Sequence, residues 1–263
     1  MTNDYCIVIP HFKHVPQLER FLPTLARANL PLLIVDDGSG AAVVQQLNEL
    51  IRPHEWVELI TRKKNGGKGA ATVTGLQNAL EAGYSHVILV DADGQHDPAD
   101  VVRIYQQSKE ETKDEAKTEP QALYSGHPHF GDDIPSARRY GREITNVLAR
   151  LEAGNWALKD AMCGSRVYPI DITLTLAREC GTRVRMEMDT ELLVRACWHG
   201  YEVRYIDTNV VYPEEGASHF RMGKDNIRMA LMHCRLLLEA LVRVPISKLR
   251  RTQSHSGNSH DSQ

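Results

Sequence analysis

The sequence predicts an α/β fold in which helices pack on a parallel sheet. Short apolar runs, typical of strands buried on both faces, alternate with segments of helical periodicity. Four such strand–helix units follow one another in roughly the first hundred residues, an order that favours right-handed crossovers and a parallel sheet. The chain has 263 residues, enough for one large α/β domain or two small ones.

The first half of the chain contains these four units. Their short apolar strands are predicted at Tyr5–Ile9, Leu32–Val35, Trp56–Ile60 and Val87–Val90. Apolar residues at helical spacing predict the helices that follow at Pro16–Ala28, Val43–Ile51, Gly69–Ala82 and Pro98–Ser108. Pro16 suits a first helical position because its missing N–H has no partner to lose there.

The second half begins with a charge-dense connector, Lys109–Pro120, which is expected to be a solvated helix end or a loop. Strands are predicted at Ala122–Ser125, Ala161–Tyr168, Val203–Ile206 and Asn209–Tyr212, with a loop at Gly126–Pro135. Helices are predicted at Arg138–Leu151, at Ile170–Cys180, from an N-cap at Asp189 to a stop at Gly200, and at Asn226–Val244. The polar tail Thr252–Gln263 is expected to be disordered.

The last predicted helix has two interpretations. Ile227, Leu231, Leu238 and Leu241 recur at helical spacing and are interleaved with arginines. The helix either docks on the core or lies in the plane of a membrane surface. Docking is favoured because strong surface binding usually needs more basic residues, and peripheral membrane contact is kept as the alternative.

Composition excludes several classes of protein. The net charge of −3 gives no basic signal for nucleic acid. Five cysteines without a C-x-x-C pair indicate a reduced, cytoplasmic protein with neither a zinc ribbon nor a disulfide framework. The N-terminus does not resemble a signal peptide, and no apolar run is long enough to span a bilayer.

Four loops are expected to meet where the first four strands end. Asp91 and Asp93 follow a buried strand and offer oxygen ligands for Mg²⁺ or Mn²⁺, although a D-x-D sequence also occurs in ordinary solvated turns. The other loops are the acidic Asp36–Gly40, the basic and glycine-rich Thr61–Lys68, and Pro10–His14 with its aromatic residue. Since the carboxyl ends of parallel strands lie at one edge, these loops predict a nucleotide site.

Five motifs, taken together and in order, resemble the family-2 glycosyltransferases of the GT-A fold. They are Pro10–Lys13, Ile34–Ser39, Asn65–Ala70, Asp91–His96 and Glu187–Arg195. By pattern, the sequence is most similar to bacterial lipid- or polyene-associated members and to polyprenyl-phosphate hexose synthases. The resemblance covers the first hundred or so residues well and is thinner from Glu110 onward.

The resemblance implies a GT-A (Rossmann-like) fold with a mixed, mainly parallel sheet and helices on both faces. It implies a single domain over residues 1–251, with a nucleotide-sugar half at 1–108 and an acceptor half at 121–251, followed by the tail 252–263. The implied reaction moves a hexose from a nucleotide diphosphate sugar to a lipid-linked or glycan acceptor. It proceeds with inversion and depends on Mn²⁺ or Mg²⁺.

The resemblance also assigns roles by position. The nucleotide would be bound by Pro10, Phe12, Asp36, Asp37, Lys68 and Asp91. The metal would be held by Asp91, Asp93 and Gln95. Asp189 would be the general base, and the acceptor or donor loop would be contacted by Arg138, Arg139, His219 and Arg221.

Two departures from the family pattern leave roles open. Met188 stands where an acidic residue usually precedes the base, so Glu187 or Glu191 competes with Asp189 for that role. Lys13-His14 replaces the usual Asn-Glu after the first-loop aromatic residue. A lipid phosphate acceptor would need no base, and Asp189 would then be structural or orient the donor. His219 is a candidate for a further metal ligand, but an exposed loop histidine is the simpler interpretation.

Two other functions remain as alternatives. A sugar-phosphate nucleotidyltransferase also uses an α/β nucleotide site and Mg²⁺, but its first loop is normally glycine-rich. A non-catalytic nucleotide-sugar-binding module would keep the acid pair Asp36-Asp37 without turnover. The expected partners are the nucleotide sugar and the acceptor, without nucleic acid. The expected location is cytoplasmic, with peripheral contact at the inner face of the membrane as the alternative, and the oligomeric state is left open.

Overall fold

The computed structural model describes residues 4–95, 97–114, 122–130, 136–181, 185–210 and 222–257. These residues form a seven-stranded sheet and eight α-helices. The strands are β1 Tyr5–His11, β2 Leu32–Asp36, β3 Val57–Thr61, β4 His86–Leu89, β5 Ala122–Phe130, β6 Arg166–Pro169 and β7 Glu202–Val210. The helices are α1 Val15–Leu25, α2 Ala41–Ile51, α3 Lys68–Glu81, α4 Pro98–Asp114, α5 Ser136–Ala153, α6 Ile170–Cys180, α7 Met188–Trp198 and α8 Met222–Gly257.

The sheet is mixed and mainly parallel, as expected. Its order is β3-β2-β1-β4-β6-β5-β7, and β6 alone among these strands runs antiparallel, to β4 and to β5. The pairs β1–β2, β1–β4, β2–β3 and β5–β7 are parallel. The reversal at β6 leaves β5 and β7 parallel to the first four strands, so all six end at the same edge of the sheet.

Two apolar layers hold helices on both faces of the sheet. One layer packs Leu18 of α1, Leu47 of α2 and Ile104 of α4 against alternate strand residues. The other packs α3 and α5 to α8, with Leu76 and Leu192 among its members. This two-sided burial explains why the central strands consist of apolar residues without alternation.

Several predicted boundaries are wrong. Strand β5 continues to Phe130, through half of the expected loop Gly126–Pro135. The strand predicted at Ala161–Tyr168 begins five residues later than expected and spans Arg166–Pro169. The two last predicted strands are one, Glu202–Val210. In each case hydrogen bonding to the neighbouring strand, not the apolar run, decides the length.

Other segments differ in length or lie outside the described residues. Helix α4 runs into the expected connector as far as Asp114. Helix α8 continues to Gly257, so residues 252–257 of the predicted tail are helical. Residues 115–121 and 258–263 lie outside the part that the structure describes.

Helices α5 and α8 pack together, and each also exposes apolar side chains. Glu152 Oε1 of α5 accepts a hydrogen bond from His233 Nδ1 of α8 at 2.7 Å. Met232, Leu236 and Ala240 form the buried face of α8. Two exposed sets, which we call the apolar stripes, follow helical spacing: Tyr140, Ile144, Val147 and Leu151 on α5, and Ile227, Leu231, Leu238 and Leu241 on α8.

No helix in the described ranges combines the length and the apolarity that crossing a bilayer requires.

Candidate active site

The candidate site lies at the edge where β1, β2, β3 and β4 end. Asp36 is the last residue of β2, and Asp91 follows β4. Lys68 is the first residue of α3, and Asp189 lies in the first turn of α7. Parallel strands joined by helices bring these four positions together although they are far apart in sequence.

Lys68 joins the two carboxylates at the centre of the site. Its Nζ lies 2.6 Å from Asp91 Oδ1 and 2.5 Å from Asp189 Oδ2. All three side chains are largely buried, with 12 %, 20 % and 9 % of their surfaces exposed. Burial alone would lower the pKa of Lys68, but Asp189 and Asp91 together raise it above its usual value. The lysine is therefore charged, and it holds the loop after β4 against the start of α7.

Asp93 lies in the same loop as Asp91, and within the described part of the chain its buried carboxylate has no cation paired with it as closely as Lys68 is paired with Asp91. Burial, and then the nearby charge of Asp91, raise the pKa of Asp93 to about 6. Asp93 Oδ1 also accepts a hydrogen bond from the backbone N–H of Gln95 at 3.1 Å, which turns the loop back towards the site. Burial and the charge of Asp91 thus both disfavour the ionised form of Asp93, and the positive charge of Lys68 offsets them only in part.

The residues present fit a hard divalent cation. Two carboxylates whose charges oppose each other gain from a bound ion, and Mg²⁺ or Mn²⁺ prefers such oxygen ligands. Gln95 stands next to them in the half-buried loop. Since Lys68 already pairs with Asp91 Oδ1, an ion at this place would share Asp91 with the lysine.

Gly164 sets the position of the Asp91 carboxylate. A Cβ atom built on Gly164 would lie 1.8 Å from Asp91 Oδ2 and 2.3 Å from its Cγ. Real side chains do not approach so closely, so a residue with a side chain there would displace Asp91. This contact could not be predicted from the sequence, because the pairing of β4 with β6 brings the two residues together.

Asp36 links the first two loops through His11. The Asp36 carboxylate is buried, and its Oδ1 lies 3.1 Å from His11 Nδ1. His11 Nε2 accepts a hydrogen bond from the backbone N–H of His14 at 3.0 Å, which assigns the proton to Nδ1. Burial opposes ionisation of Asp36, but hydrogen bonds from His11 and Ser39 outweigh it and lower its pKa. Asp36 therefore fixes the shape of the first loop.

Asp37 holds the glycine-rich loop. Its carboxylate accepts hydrogen bonds from Arg62 Nε at 2.9 Å and from the backbone N–H groups of Gly66 and Gly67, the latter at 2.7 Å. Gly67 has a φ of 97°, and a Cβ there would lie 2.5 Å from the side chain of Arg185. Position 67 thus needs glycine. The expected contacts of Asp36 and Asp37 with the nucleotide stay predictions.

The three candidate bases differ in their surroundings. Asp189 faces Lys68, as described above, and lies in the first turn of α7. The predicted N-cap at Asp189 is wrong, because Glu187 occupies that position. Glu187 Oε2 is buried and has no hydrogen-bond partner among the described residues. Glu191 lies in the core, where Arg195 Nε and Arg235 Nη2 donate to it at 2.8 and 2.5 Å.

Arg166 positions the start of α7 from inside the core. Its guanidinium is almost completely buried. It donates to the backbone carbonyl of Asp189 at 2.6 Å and to Ala161 O at 2.8 Å, and it also reaches Tyr168 OH at 3.0 Å. Sequence reasoning missed this residue, and the available signal was an arginine placed directly before apolar strand residues.

The other expected site residues are placed less centrally. Pro10 lies near the end of β1, and Phe12 follows it, with Lys13 Nζ 5.2 Å from the centre of its ring. Arg139 is exposed on α5. His219, Arg221 and the side chain of Arg138 lie outside the part that the structure describes.

Arg142, near the start of α5, donates from Nε and Nη2 to the two carboxylate oxygens of Asp160, at 2.6 and 2.8 Å. This bidentate pair ties α5 to the segment before β6.

Comparison with known proteins identifies the family. Residues 6–149 match the sequence profile described as "Glycosyl transferase family 2". The UDP-N-acetylglucosamine–dolichyl-phosphate N-acetylglucosaminyltransferase of Methanococcus voltae is 23% identical over 221 residues, covering 79% of this chain and 86% of its own. The polyprenol monophosphomannose synthase of Mycolicibacterium smegmatis is 30% identical over 106 residues, covering 39% and 40%.

Solved structures share the fold. Glucosyl-3-phosphoglycerate synthase of Mycobacterium tuberculosis, in complex with Mn²⁺, uridine diphosphate and phosphoglyceric acid, superposes with a TM-score of 0.65 at 13% identity. The match covers 91% of this chain and 78% of that one. Mannosyl-3-phosphoglycerate synthase of Rubrobacter xylanophilus gives a TM-score of 0.59 at 14% identity, covering 90% and 73%.

Proposed function

We propose a specific reaction for this chain, which belongs to glycosyl transferase family 2. The reaction is the transfer of a hexose from a nucleotide diphosphate sugar to a lipid-linked acceptor. It would proceed with inversion and require a divalent ion. One observation carries the proposal. Lys68 lies between Asp91, on the loop expected to hold the diphosphate, and Asp189, the candidate base. The groups for the leaving phosphate and for the attacking oxygen are thus adjacent.

On the donor side, Asp91 and Asp93 would hold the ion, with Gln95 beside them. A bound divalent cation would neutralise the charge that develops on the leaving diphosphate. Lys68 adds a fixed positive charge at the same place and orients Asp91. The Asp37-bound glycine-rich loop and the His11–Asp36 pair would shape the nucleotide pocket, with Pro10 and Phe12 against the base.

On the acceptor side, Asp189 would take the proton from an acceptor hydroxyl as it attacks the anomeric carbon. Its carboxylate is held by Lys68, and its backbone is held by Arg166, so its position is fixed before the substrate arrives. If the acceptor is a lipid phosphate, the oxygen is already ionised, and Asp189 would serve to orient Lys68.

A lipid-linked acceptor is supported by two relatives, one named for dolichyl phosphate and the other for polyprenol monophosphomannose. It is also supported by the apolar stripes of α5 and α8, because exposed large apolar side chains mark interaction surfaces. Exposed Arg139, Lys224 and Arg243 lie on the same two helices and suit anionic headgroups. We therefore propose peripheral contact with the inner face of the membrane through these stripes. None of the five cysteines forms a disulfide, which fits the reducing compartment on that side.

A transfer assay tests the reaction. Labelled UDP-hexoses and GDP-mannose are incubated with polyprenyl phosphate in vesicles, with and without Mn²⁺, and lipid-linked label and released nucleoside diphosphate are measured. We expect both products in equal amounts with one donor, and their loss in Asp93→Asn. Pyrophosphate release from a nucleoside triphosphate and a sugar phosphate would instead show a nucleotidyltransferase. Saturable donor binding without any turnover would show a binding module.

Vesicle co-sedimentation tests the membrane contact separately. Leu238→Glu with Leu241→Glu should abolish binding to anionic vesicles, because both leucines are exposed on α8. Leu80→Glu, at an exposed leucine of α3, is the matched control and should bind as the unaltered chain does. Vesicle binding unchanged by the α8 pair, together with conversion of a dimer to a monomer, would assign the stripes to a second copy of the chain.

A further inference from the structure

Two histidines and an aspartate, none of them among the groups assigned above, converge near the end of the β5–β7 pair. His127 Nδ1 lies 3.1 Å from Asp207 Oδ1, and His129 Nε2 lies 3.0 Å from the same oxygen. The three side chains reach solvent, with 28 %, 59 % and 68 % of their surfaces exposed. They belong to no step of the proposed transfer reaction.

The sheet fixes this arrangement. His127 and His129 are two residues apart on β5, so their side chains leave the same face of the strand. His127 is paired directly with Asp207 in the β5–β7 register. The two imidazole rings lie 5.1 Å apart, edge to face, and the ring of Tyr205 is 6.1 Å from that of His127. Backbone pairing therefore holds three potential ligands on one side of the sheet.

The spacing suits a metal ion with short bonds. One ligand atom from each of the three residues lies within 4.8 Å of the other two. Zinc bonds to nitrogen and oxygen are about 2.0 to 2.2 Å long, which places neighbouring ligand atoms about 3 to 4 Å apart. An ion could therefore enter with side-chain rotations alone. With three protein ligands on an open surface, water would occupy the remaining coordination position of the ion.

We propose that His127, His129 and Asp207 form a second metal site, specific for a Zn²⁺-like ion and separate from Asp91/Asp93. Two imidazoles and one carboxylate suit Zn²⁺, Co²⁺ or Ni²⁺, whereas a carboxylate pair suits Mg²⁺ or Mn²⁺. The ion would join β7 to β5 near the ends of both strands. Since metal that binds only the folded chain stabilises it, the site would strengthen this outer pair of strands.

Titration with Zn²⁺, and with Co²⁺ as a spectroscopic probe, tests this site in metal-stripped protein. We expect one equivalent to bind, with an absorption spectrum for Co²⁺ that reports imidazole ligands, and a rise in the unfolding temperature. The variant His127→Gln with His129→Gln should lose at least tenfold in affinity, and Asp207→Asn should also bind more weakly. His129 and Asp207 are exposed and His127 is partly exposed, so these changes should leave the core intact, and circular dichroism checks the fold.

Two controls separate this site from other ligands. Asp93→Asn should keep the Zn²⁺ equivalent, because it alters only the other candidate site. Cys234→Ser should also keep the Zn²⁺ equivalent. This variant removes the exposed thiol on α8, which is another side chain that zinc could bind. Equal Zn²⁺ affinity in the unaltered chain and in the double histidine variant would overturn the proposal, as would the absence of stoichiometric binding.

Discussion

The substitution Gly164→Ala is predicted to weaken the donor site without replacing any residue that would bind the donor. The added methyl group would lie 1.8 Å from Asp91 Oδ2, far inside the van der Waals distance. The carboxylate is the end of a side chain, so it can rotate away more easily than the backbone can move. Rotation would separate Asp91 from Lys68 Nζ, which it now approaches to 2.6 Å.

The size of the effect follows from these contacts. Overpacking of this kind costs about 1 to 3 kcal/mol, which is about 2 to 4 °C in unfolding temperature for each kcal/mol in a chain near this size. Moving a residue that orients a metal ligand usually lowers metal affinity by about 10- to 100-fold. We therefore expect a modest loss of stability and a much larger loss of Mn²⁺-dependent nucleotide binding.

Isothermal titration of a nucleoside diphosphate in the presence of Mn²⁺ measures this loss. Gly141→Ala is the matched control: it is the same substitution within α5, where the new methyl group meets nothing within 4 Å. The control should bind the nucleotide normally and be equally or slightly more stable, since alanine favours helix. Equal binding by Gly164→Ala and Gly141→Ala would refute the reasoning that Gly164 positions a metal ligand.

Three further predictions concern the glycine-rich loop, the buried arginine of β6 and the reactivity of the cysteines. Asp37→Asn should destabilise the fold by about 2 kcal/mol, measured by urea unfolding, because charged hydrogen bonds to Arg62 and the loop become neutral ones; an unchanged midpoint would show that the loop is held otherwise. Arg166→Met should lower the unfolding temperature strongly, because several buried acceptors lose their donor; a loss of turnover with normal stability would contradict this packing role. Iodoacetamide should label Cys234 alone in the native protein at pH 7.5, because it is exposed, whereas burial raises the pKa of the Cys163 thiol to about 11; mass spectrometry that finds Cys163 labelled at a similar rate would contradict it.

The strands of the first half could be predicted from sequence because burial on both faces leaves one readable signal. Strands β1, β2 and β4 differ from their predicted spans by a residue or two. The outer strands β5 and β7 could not be read in this way. Their later residues are polar, and the strand continues because each residue is paired with the other strand up to Phe130 and Val210.

The region before β6 shows a second reason why a strand boundary could not be predicted from the sequence. The sequence predicts a strand from Ala161, whereas the structure begins β6 at Arg166. The carbonyl of Ala161 instead accepts hydrogen bonds from the side chains of Arg166 and Thr190. Here side-chain donors replace the backbone N–H groups of a neighbouring strand, and such hydrogen bonds produce no periodic pattern in the sequence.

The candidate site could be predicted in part for similar reasons. The acids after β2 and β4 follow from the rule that ligands bind where parallel strands end, and the structure brings Asp91, Lys68 and Asp189 together. The contacts of Gly164 and Arg166 depend on an antiparallel strand inserted between β4 and β5. That insertion comes from long-range pairing, which spacing along the chain does not reveal.

The most direct test of the central claim is a thermal-shift panel of UDP, GDP, CDP and dTDP, each with and without Mn²⁺. A ligand that binds only the folded chain stabilises it by about 2.7 kcal/mol at a hundredfold excess over its dissociation constant. We predict that one nucleotide raises the unfolding temperature only when Mn²⁺ is present, and that Asp93→Asn folds normally but loses this rise. A shift that is independent of Mn²⁺, or that survives in Asp93→Asn, would contradict a metal-dependent donor site at Asp91 and Asp93.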